Sequence, residues 1–98
     1  MLEISWSDWL DFSLTEVEKV PSESGVYMMH AAMKILFIGG SDNLRQAVAN
    51  ALNDSCIKNA KRFKYSSVKN HQEVKIQLIK EYQEKHQGSL PACMSQHT

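Results

Sequence analysis

The sequence predicts a single α+β domain in which a small, three-stranded, mostly antiparallel sheet packs against flanking helices. Two short apolar runs, GVYMMHA and KILFIGG, are rich in the β-branched and aromatic residues that are typical of strands. Two later segments, 41–52 and 71–87, place their apolar residues at helical spacing. A length of 98 residues, with 43% hydrophobic and 22% charged side chains, fits one soluble domain spanning 1–98.

Residues 1–20 are predicted to form an N-terminal helical extension, with Ser5 or Ser7 as its N-cap. The apolar positions that follow helical spacing are Trp6, Trp9, Leu10, Leu14 and Val17. Both tryptophans are expected to cover the body of the domain, and a base-stacking pair is the less favoured interpretation. If exposed, they would form a partner surface. Pro21 and Gly25 then interrupt the pattern, so the core is expected over 21–94, with a tail at 95–98.

The core is expected to run in the order β, β, α, β, α. The two apolar runs predict a hairpin, and Ser41 or Asp42 is expected to cap the helix that follows. Residues 53–61 are predicted to form a loop, and RFKYSSV at 62–68 alternates as an exposed or edge strand does. The last helix is expected over 71–87, ending at Gly88.

Charge is distributed unevenly along a chain whose formal net charge is zero. Residues 1–24 carry six acids against one lysine, whereas residues 58–85 carry eight bases against three acids. Two interpretations remain open: the segments neutralise each other within the fold, which is slightly favoured, or the basic segment forms a face for nucleic acid.

Several classes of protein are disfavoured by the sequence. No apolar run approaches membrane-spanning length, and the acidic N-terminus resembles no targeting peptide, so we expect a cytoplasmic protein without a membrane partner. Cys56 and Cys93 have no metal-type spacing and are expected to be reduced thiols. The four histidines share no ligand spacing and are expected at the surface or at the rim of the domain, so the sequence predicts no metal site and no cofactor.

The motifs GVY at 25–27 and FIG at 37–39, followed by NLRQAV on a helix, resemble the GIY-YIG nuclease superfamily. IKEY in the last helix and GSLPAC after it are also similar to that family, so the resemblance covers about 21–94. It implies metal-dependent hydrolysis of phosphodiesters. In that family a tyrosine on each of the first two strands lies beside the scissile phosphate, an arginine on the next helix neutralises charge, and a glutamate on the later helix holds one divalent cation.

The resemblance assigns family positions to five residues of this chain. Tyr27 and Gly39 match the first-strand tyrosine and the second-strand glycine, while Phe37 stands where the second tyrosine is expected. Ala47 occupies the arginine position, and Lys75 occupies that of the metal-binding glutamate. The resemblance thus implies a degenerate site that has lost its arginine, its metal ligand and one hydroxyl.

Helical geometry bears on both replaced positions. A helix turns about 100° per residue, which points Arg45 about 200° away from Ala47. The same step centres Lys75 on the inward face of the last helix and puts Glu73 on the opposite face. The stem of Lys75 is expected to lie along apolar side chains with its ammonium in solvent; the less favoured interpretation is an anion site shared with Tyr27. Tyr27 itself is equally consistent with a core aromatic side chain and with a functional one.

Three functional hypotheses follow. The favoured one is a non-catalytic domain that binds nucleic acid or a protein partner, with phosphate contacts from Arg45, Lys61, Arg62, Lys64 and Lys75. The second is an active endonuclease in which Glu73 or another relocated acid holds Mg²⁺ or Mn²⁺. The third is a binder of small anions that uses Tyr27, Arg45 and Lys75.

Overall fold

The computed structural model describes residues 5–31 and 34–94, so the predicted tail at 95–98 and the tip of the hairpin lie outside the described residues. The strands are β1 (Leu10–Asp11), β2 (Gly25–Ala31), β3 (Lys34–Ser41) and β4 (Arg62–Ser67). The helices are α1 (Leu14–Val17), α2 (Leu44–Ala51) and α3 (His71–Lys85), and a 3₁₀ turn covers Ile57–Asn59. The α+β class and the β-β-α-β-α order of the core are confirmed.

The sheet is antiparallel throughout, with the strand order β1-β4-β2-β3. The predicted hairpin is present, because β2 pairs with β3 along its length, and a register shift follows Met29. The sheet has four strands instead of three. β4 is consequently an interior strand, and the prediction that 62–68 lies at an edge is wrong because β1 pairs with it.

The N-terminal segment differs most from the expectation. Only Leu14–Val17 forms a helical turn, so the predicted helix is wrong for residues 5–11. The backbone there pairs with β4 instead: the Ser7 N–H donates to the Tyr65 carbonyl, and the Tyr65 N–H donates to the Ser7 hydroxyl. The hydroxyl expected to cap a helix thus extends the sheet, since backbone groups left free along β4 need partners.

Trp6 packs against the core beside Val26, as predicted, whereas Trp9 is 37% exposed and contacts the ring of His30 in β2. The two tryptophans hold Lys64 between them, with its ammonium 4.7 Å from the Trp6 ring centroid and 4.8 Å from that of Trp9. Such cation–π contacts attach the N-terminal segment to the face of β4. Burial lowers the pKa of Lys64 from its usual value.

Side chains that alternate along β2 divide the core into two layers, because successive residues of a strand point to opposite faces. On one face Tyr27 and Met29 pack with α2, together with the buried Leu44, Val48 and Phe63. On the other face Val26 packs with Ile38 and with Val74 and Leu78 of α3. Tyr27 therefore points towards α2 and away from α3.

The helix ends largely follow the sequence signals. Asn43 caps α2, accepting from the Gln46 N–H at 3.2 Å, so the cap lies one or two residues beyond the predicted Ser41 or Asp42. α3 ends at Lys85, and Gly88 follows with φ of 86°, the left-handed conformation that glycine adopts without strain. Among the described residues, no helix is long and apolar enough to cross a membrane.

The expectation of reduced thiols is wrong, because Cys56 and Cys93 form a disulfide with their Cα atoms 5.7 Å apart. The two cysteines are 37 residues apart in sequence, which hid their proximity. The disulfide joins the C-terminal segment to the loop that follows α2. The Cys93 N–H also donates to the carbonyl of Leu36 in β3. The cytoplasmic location stays a prediction.

The disulfide is expected to stabilise the fold by restricting the unfolded chain. Reduction, or substitution of either cysteine by serine, should lower the free energy of unfolding by roughly 3–4 kcal/mol for a loop of this length. Chemical denaturation with and without reductant measures the change, and Cys93→Ser is the control in which reductant should have no further effect. An unfolding midpoint that reductant leaves unchanged in the unsubstituted protein would contradict this prediction.

Candidate functional site

A cavity of about 360 Å³ lies between the sheet and α2 and contains several of the predicted site residues. The residues that line it are Tyr27, Phe37, Ala47, Asn50, Ala51, Asp54 and Ile57. Three of them occupy the positions that the resemblance assigns to the two tyrosines and the arginine. The fold therefore brings Tyr27, Phe37 and Ala47 together, and we call this space the Tyr27 cavity.

Gly39 allows the Tyr27 ring to lie across the neighbouring strand. The two residues are direct partners in the β2–β3 ladder. A Cβ atom at position 39 would lie 2.5 Å from Cζ of Tyr27 and 2.6 Å from its hydroxyl oxygen, closer than packed atoms approach. The Phe37 ring stacks beside Tyr27 with centroids 6.0 Å apart. The glycine thus positions Tyr27, which is 8% exposed, against the wall of the cavity.

Among the described residues, Asp54 is the charged residue that lines the Tyr27 cavity, and none of the described lining residues is a cation. Burial is the larger cause that raises the pKa of the Tyr27 phenol above its usual value, and the charge of Asp54 raises it further. The Asp54 Oδ1 atom accepts from the backbone N–H groups of Cys56 and Ile57, at 2.9 and 3.0 Å. The cavity therefore favours a neutral phenol and carries negative charge.

Sequence analysis missed Asp54 as a site residue. An aspartate followed by a polar residue in a predicted loop indicates a local turn, which is what its bonds to Cys56 and Ile57 provide. Its proximity to Tyr27 depends on how the loop after α2 folds back over the sheet. No spacing within the sequence indicates that contact.

Arg45 does not replace the missing arginine. It is exposed on α2, and its Nε atom donates to the carbonyl of Val20 at 2.7 Å. That bond directs the guanidinium towards the segment before β2, in agreement with the helical geometry that separates it from Ala47. Arg45 therefore connects α2 to the residues that precede the sheet.

Lys75 lies on the sheet-facing side of α3, where helical geometry predicted it, and is half-buried. The apolar residues of that side, which pack together in one core layer, are Val74, Leu78, Ile79 and Tyr82. Val74 is about 100° from Lys75 around the helix, so the centre of the buried arc is displaced from the lysine towards Val74.

Tyr27 and Lys75 lie on opposite faces of the sheet. A Cβ at Gly39 would meet the Tyr27 ring, whereas a Cβ at the next residue, Gly40, would be 3.5 Å from Cβ of Lys75. The anion site that combines Tyr27 with Lys75, and the small-anion site that adds Arg45, are therefore not formed. Glu73 is exposed on the outer side of α3, where geometry predicted it.

His71 begins α3 at the rim of the domain, where it is half-buried. Its Nε2 atom is 2.8 Å from the Asp42 carboxylate, while its Nδ1 atom is buried and has no hydrogen-bond partner within the described part of the chain. The pair connects the start of α3 to the turn after β3. Residues 5–31 and 34–94 contain no group of three or more metal-ligating side chains.

The predicted nucleic-acid contacts on β4 differ in availability. Lys61 and Arg62 are exposed, whereas Lys64 is held between the tryptophans. Arg62 approaches Asp11 at 3.9 Å, and this is the one ion pair that joins the acidic and basic segments among the described residues. Mutual neutralisation, the slightly favoured interpretation of the charge pattern, therefore has the support of a single exposed pair.

No protein-family model and no curated protein sequence matches the chain. Solved structures do: a tyrosine-to-phenylalanine mutant of the GIY-YIG N-terminal endonuclease domain of UvrC from Thermotoga maritima, bound to its catalytic divalent cation, matches with a TM-score of 0.63. The sequences are 22% identical, over 81% of this chain and 90% of that one. The magnesium-bound form of that domain matches with a TM-score of 0.61 and 21% identity, over 83% and 98%. The chain therefore has the GIY-YIG nuclease-domain fold.

The raised pKa of Tyr27 predicts a loss of stability in alkali. The folded state keeps the phenol protonated, so this contribution is fully present below the unfolded pKa of about 10 and is lost as the pH rises through the higher folded pKa. Tyr27→Phe should remove that part of the alkaline decline in unfolding free energy. Denaturation at a series of alkaline pH values measures the decline.

Phenolate absorbance provides the second measurement of the same shift. In the folded protein the phenolate of Tyr27 should form above pH 10, and Asp54→Asn should lower the pKa towards that value by removing the nearby charge. Tyr82→Phe, a substitution on the other side of the sheet, is the matched control. If Tyr27→Phe and Tyr82→Phe alter the alkaline decline equally, burial of Tyr27 is not its cause.

Proposed function

We propose that this GIY-YIG-fold protein is a non-hydrolysing module that binds nucleic acid through exposed basic residues. The observation that carries the proposal is the charge of the Tyr27 cavity, where family motif positions meet beside a carboxylate and no described lining residue is a cation. The shape associated with hydrolysis is therefore present in a site whose electrostatics oppose it.

Two features of the cavity disfavour phosphodiester hydrolysis. A phosphate gains negative charge in the transition state, and cations that stabilise this charge account for much of the rate in such reactions. Asp54 would repel that charge, and Ala47 supplies nothing to offset it. Tyr27 is also poorly suited to act as a general base. It would first have to lose its own proton to form phenolate, and burial and Asp54 raise the pKa of the phenol.

The described residues do not fit a divalent cation at the position that the family resemblance implies. Lys75 stands there, is itself cationic, and lies on the opposite face of the sheet from Tyr27. Among the described residues that line the Tyr27 cavity, Asp54 alone offers a carboxylate, and its Oδ1 atom is engaged by two backbone N–H groups. We therefore assign no metal to the proposed function.

Nucleic-acid binding is supported by the exposure of the basic segment. Lys61 and Arg62 are exposed side by side at the start of β4, and of these two only Arg62 forms an ion pair with an acid in the part of the chain that the structure describes. Exposed lysine and arginine bind phosphates by displacing condensed counterions, which needs no cavity. Lys64, held between two tryptophans, is less available, so we assign the main contacts to Lys61 and Arg62. Arg45 and Lys75 remain secondary candidates.

Affinity for nucleic acid should fall steeply as salt concentration rises. Replacing Lys61 and Arg62 together by glutamine should weaken binding roughly tenfold and reduce the slope of log affinity against log salt by about two. Fluorescence anisotropy with labelled single-stranded and double-stranded oligonucleotides over a salt series measures both values. Lys19→Gln, an exposed lysine beside Glu16, is the control and should change neither.

The salt series also separates the two forms of the favoured hypothesis. A slope near zero, or no effect of the double substitution, would contradict nucleic-acid binding by these residues. The protein-interaction module would then be the remaining non-catalytic function, because it does not require displacement of counterions from phosphates.

One observation favours the endonuclease as a second candidate. That hypothesis requires a carboxylate near Tyr27. Glu73 is exposed and does not line the Tyr27 cavity, whereas Asp54 does. A carboxylate oxygen is a ligand that Mg²⁺ and Mn²⁺ accept. Under this candidate Asp54 would be the relocated ligand.

A cleavage assay decides between the two candidates. We expect plasmid, single-stranded DNA and RNA to remain intact with Mg²⁺, with Mn²⁺ and with chelator, because no lining cation stabilises the transition state. Tyr27→Phe and Asp54→Asn are assayed in parallel. Metal-dependent cleavage that both substitutions abolish would overturn the non-hydrolysing function and establish Asp54 in the site.

A further inference from the structure

A second cavity, of about 720 Å³, lies at the C-terminal end of α3 and shares no lining residue with the Tyr27 cavity. Its walls come from the first residue of β3, the last turns of α3 and the segment that follows. The residues that matter for its chemistry are Lys34, Tyr82, Lys85 and His86. We call it the basic cavity. Its volume is within the range of cavities that hold small ligands.

The charge of the basic cavity has one sign. Two lysines and a histidine line it, and none of its described lining residues is acidic. Lys85 in the last turn of α3 also offsets the negative end of the helix dipole. That role does not account for Lys34, which reaches the same cavity from a different element. Convergence of cations from two elements is suited to an anion.

An aromatic surface lies in the same cavity. The rings of Tyr82 and His86, four residues apart on α3, stack with centroids 3.9 Å apart and an interplanar angle of 19°. Tyr82 is half-buried and His86 is exposed, so the stack extends from the protein body towards solvent. Flat rings at such positions stack with nucleobases irrespective of sequence.

We propose that the basic cavity binds a nucleotide, with the phosphate beside Lys34 and Lys85 and the base against the Tyr82–His86 stack. The same chemistry is offered by a free mononucleotide and by the phosphorylated end of a single strand. The site extends the proposed function to a second contact, but it does not depend on Lys61 and Arg62, which lie outside the basic cavity.

Titrations followed by nuclear magnetic resonance test the site with AMP, adenosine, inorganic phosphate, and single-stranded oligonucleotides with and without a 5′ phosphate. AMP should bind roughly tenfold tighter than adenosine or phosphate alone, because it engages both the cations and the rings. Lys34→Gln and Lys85→Gln should each weaken AMP binding about threefold to tenfold. His86→Ala should weaken AMP binding more than phosphate binding.

Lys58→Gln is the matched control, because Lys58 is an exposed lysine that does not line the basic cavity. Tighter binding of the 5′-phosphorylated strand than of AMP assigns the site to strand ends, and the reverse assigns it to free nucleotides. Absence of AMP-induced shifts at the cavity residues would overturn the proposal, as would equal effects of Lys58→Gln and Lys85→Gln. The two proposals can also fail separately. If AMP binds here but the affinity for oligonucleotides does not change with salt concentration, the basic cavity is retained and nucleic-acid binding through β4 is rejected.

Discussion

The Tyr27 ring occupies the space that a side chain at position 39 would fill, and the candidate site depends on this close approach. Because Gly39 lacks a Cβ, the ring lies across β3 and stacks beside Phe37 instead of projecting into the cavity. α2 presents the short side chains of Ala47 and Ala51 towards the same space. An open cavity results from a glycine on one side and alanines on the other. A longer side chain at either wall would occupy the space.

The small residue at position 47 also affects the charge of the Tyr27 cavity. Ala47 brings no cation to it, and the Nε atom of Arg45, two residues earlier, is bonded to the Val20 carbonyl. The charge of Asp54 then acts on the Tyr27 phenol and raises its pKa in the same direction as burial, which is the larger cause. The exposed cations of β4 and the lysines of the basic cavity lie elsewhere on the surface. Negative charge in the cavity and positive charge outside it favour phosphate binding at the surface over phosphate chemistry within.

Local patterns were sufficient to predict β2, β3, α2, β4 and α3, because periodicity and helix-stop residues act over a few positions. They failed where a distant segment determined the outcome. The helical spacing of Trp6, Trp9 and Leu10 was overridden by hydrogen bonds to β4, which no pattern within 1–20 reveals. The disulfide and the approach of Asp54 to Tyr27 likewise depend on chain reversal. Lys75 lies off the centre of the buried arc for a simpler reason: Val74, a buried residue of the same helix, extends that arc on one side.

The walls of the Tyr27 cavity are held together by contacts that do not involve any catalytic residue. Asp54 binds the N–H groups of Cys56 and Ile57, and the disulfide joins Cys56 to Cys93. The N–H of Cys93 in turn binds the carbonyl of Leu36, the residue before Phe37. This chain of contacts holds the loop after α2 against β3, on either side of the phenol. The cavity can therefore keep its shape while its chemistry changes, since the groups that maintain the walls are distinct from the arginine and the glutamate that the resemblance implies. A likeness of fold to an endonuclease domain consequently says little about hydrolysis here, and the charge of the lining residues is the property that separates the two candidate functions.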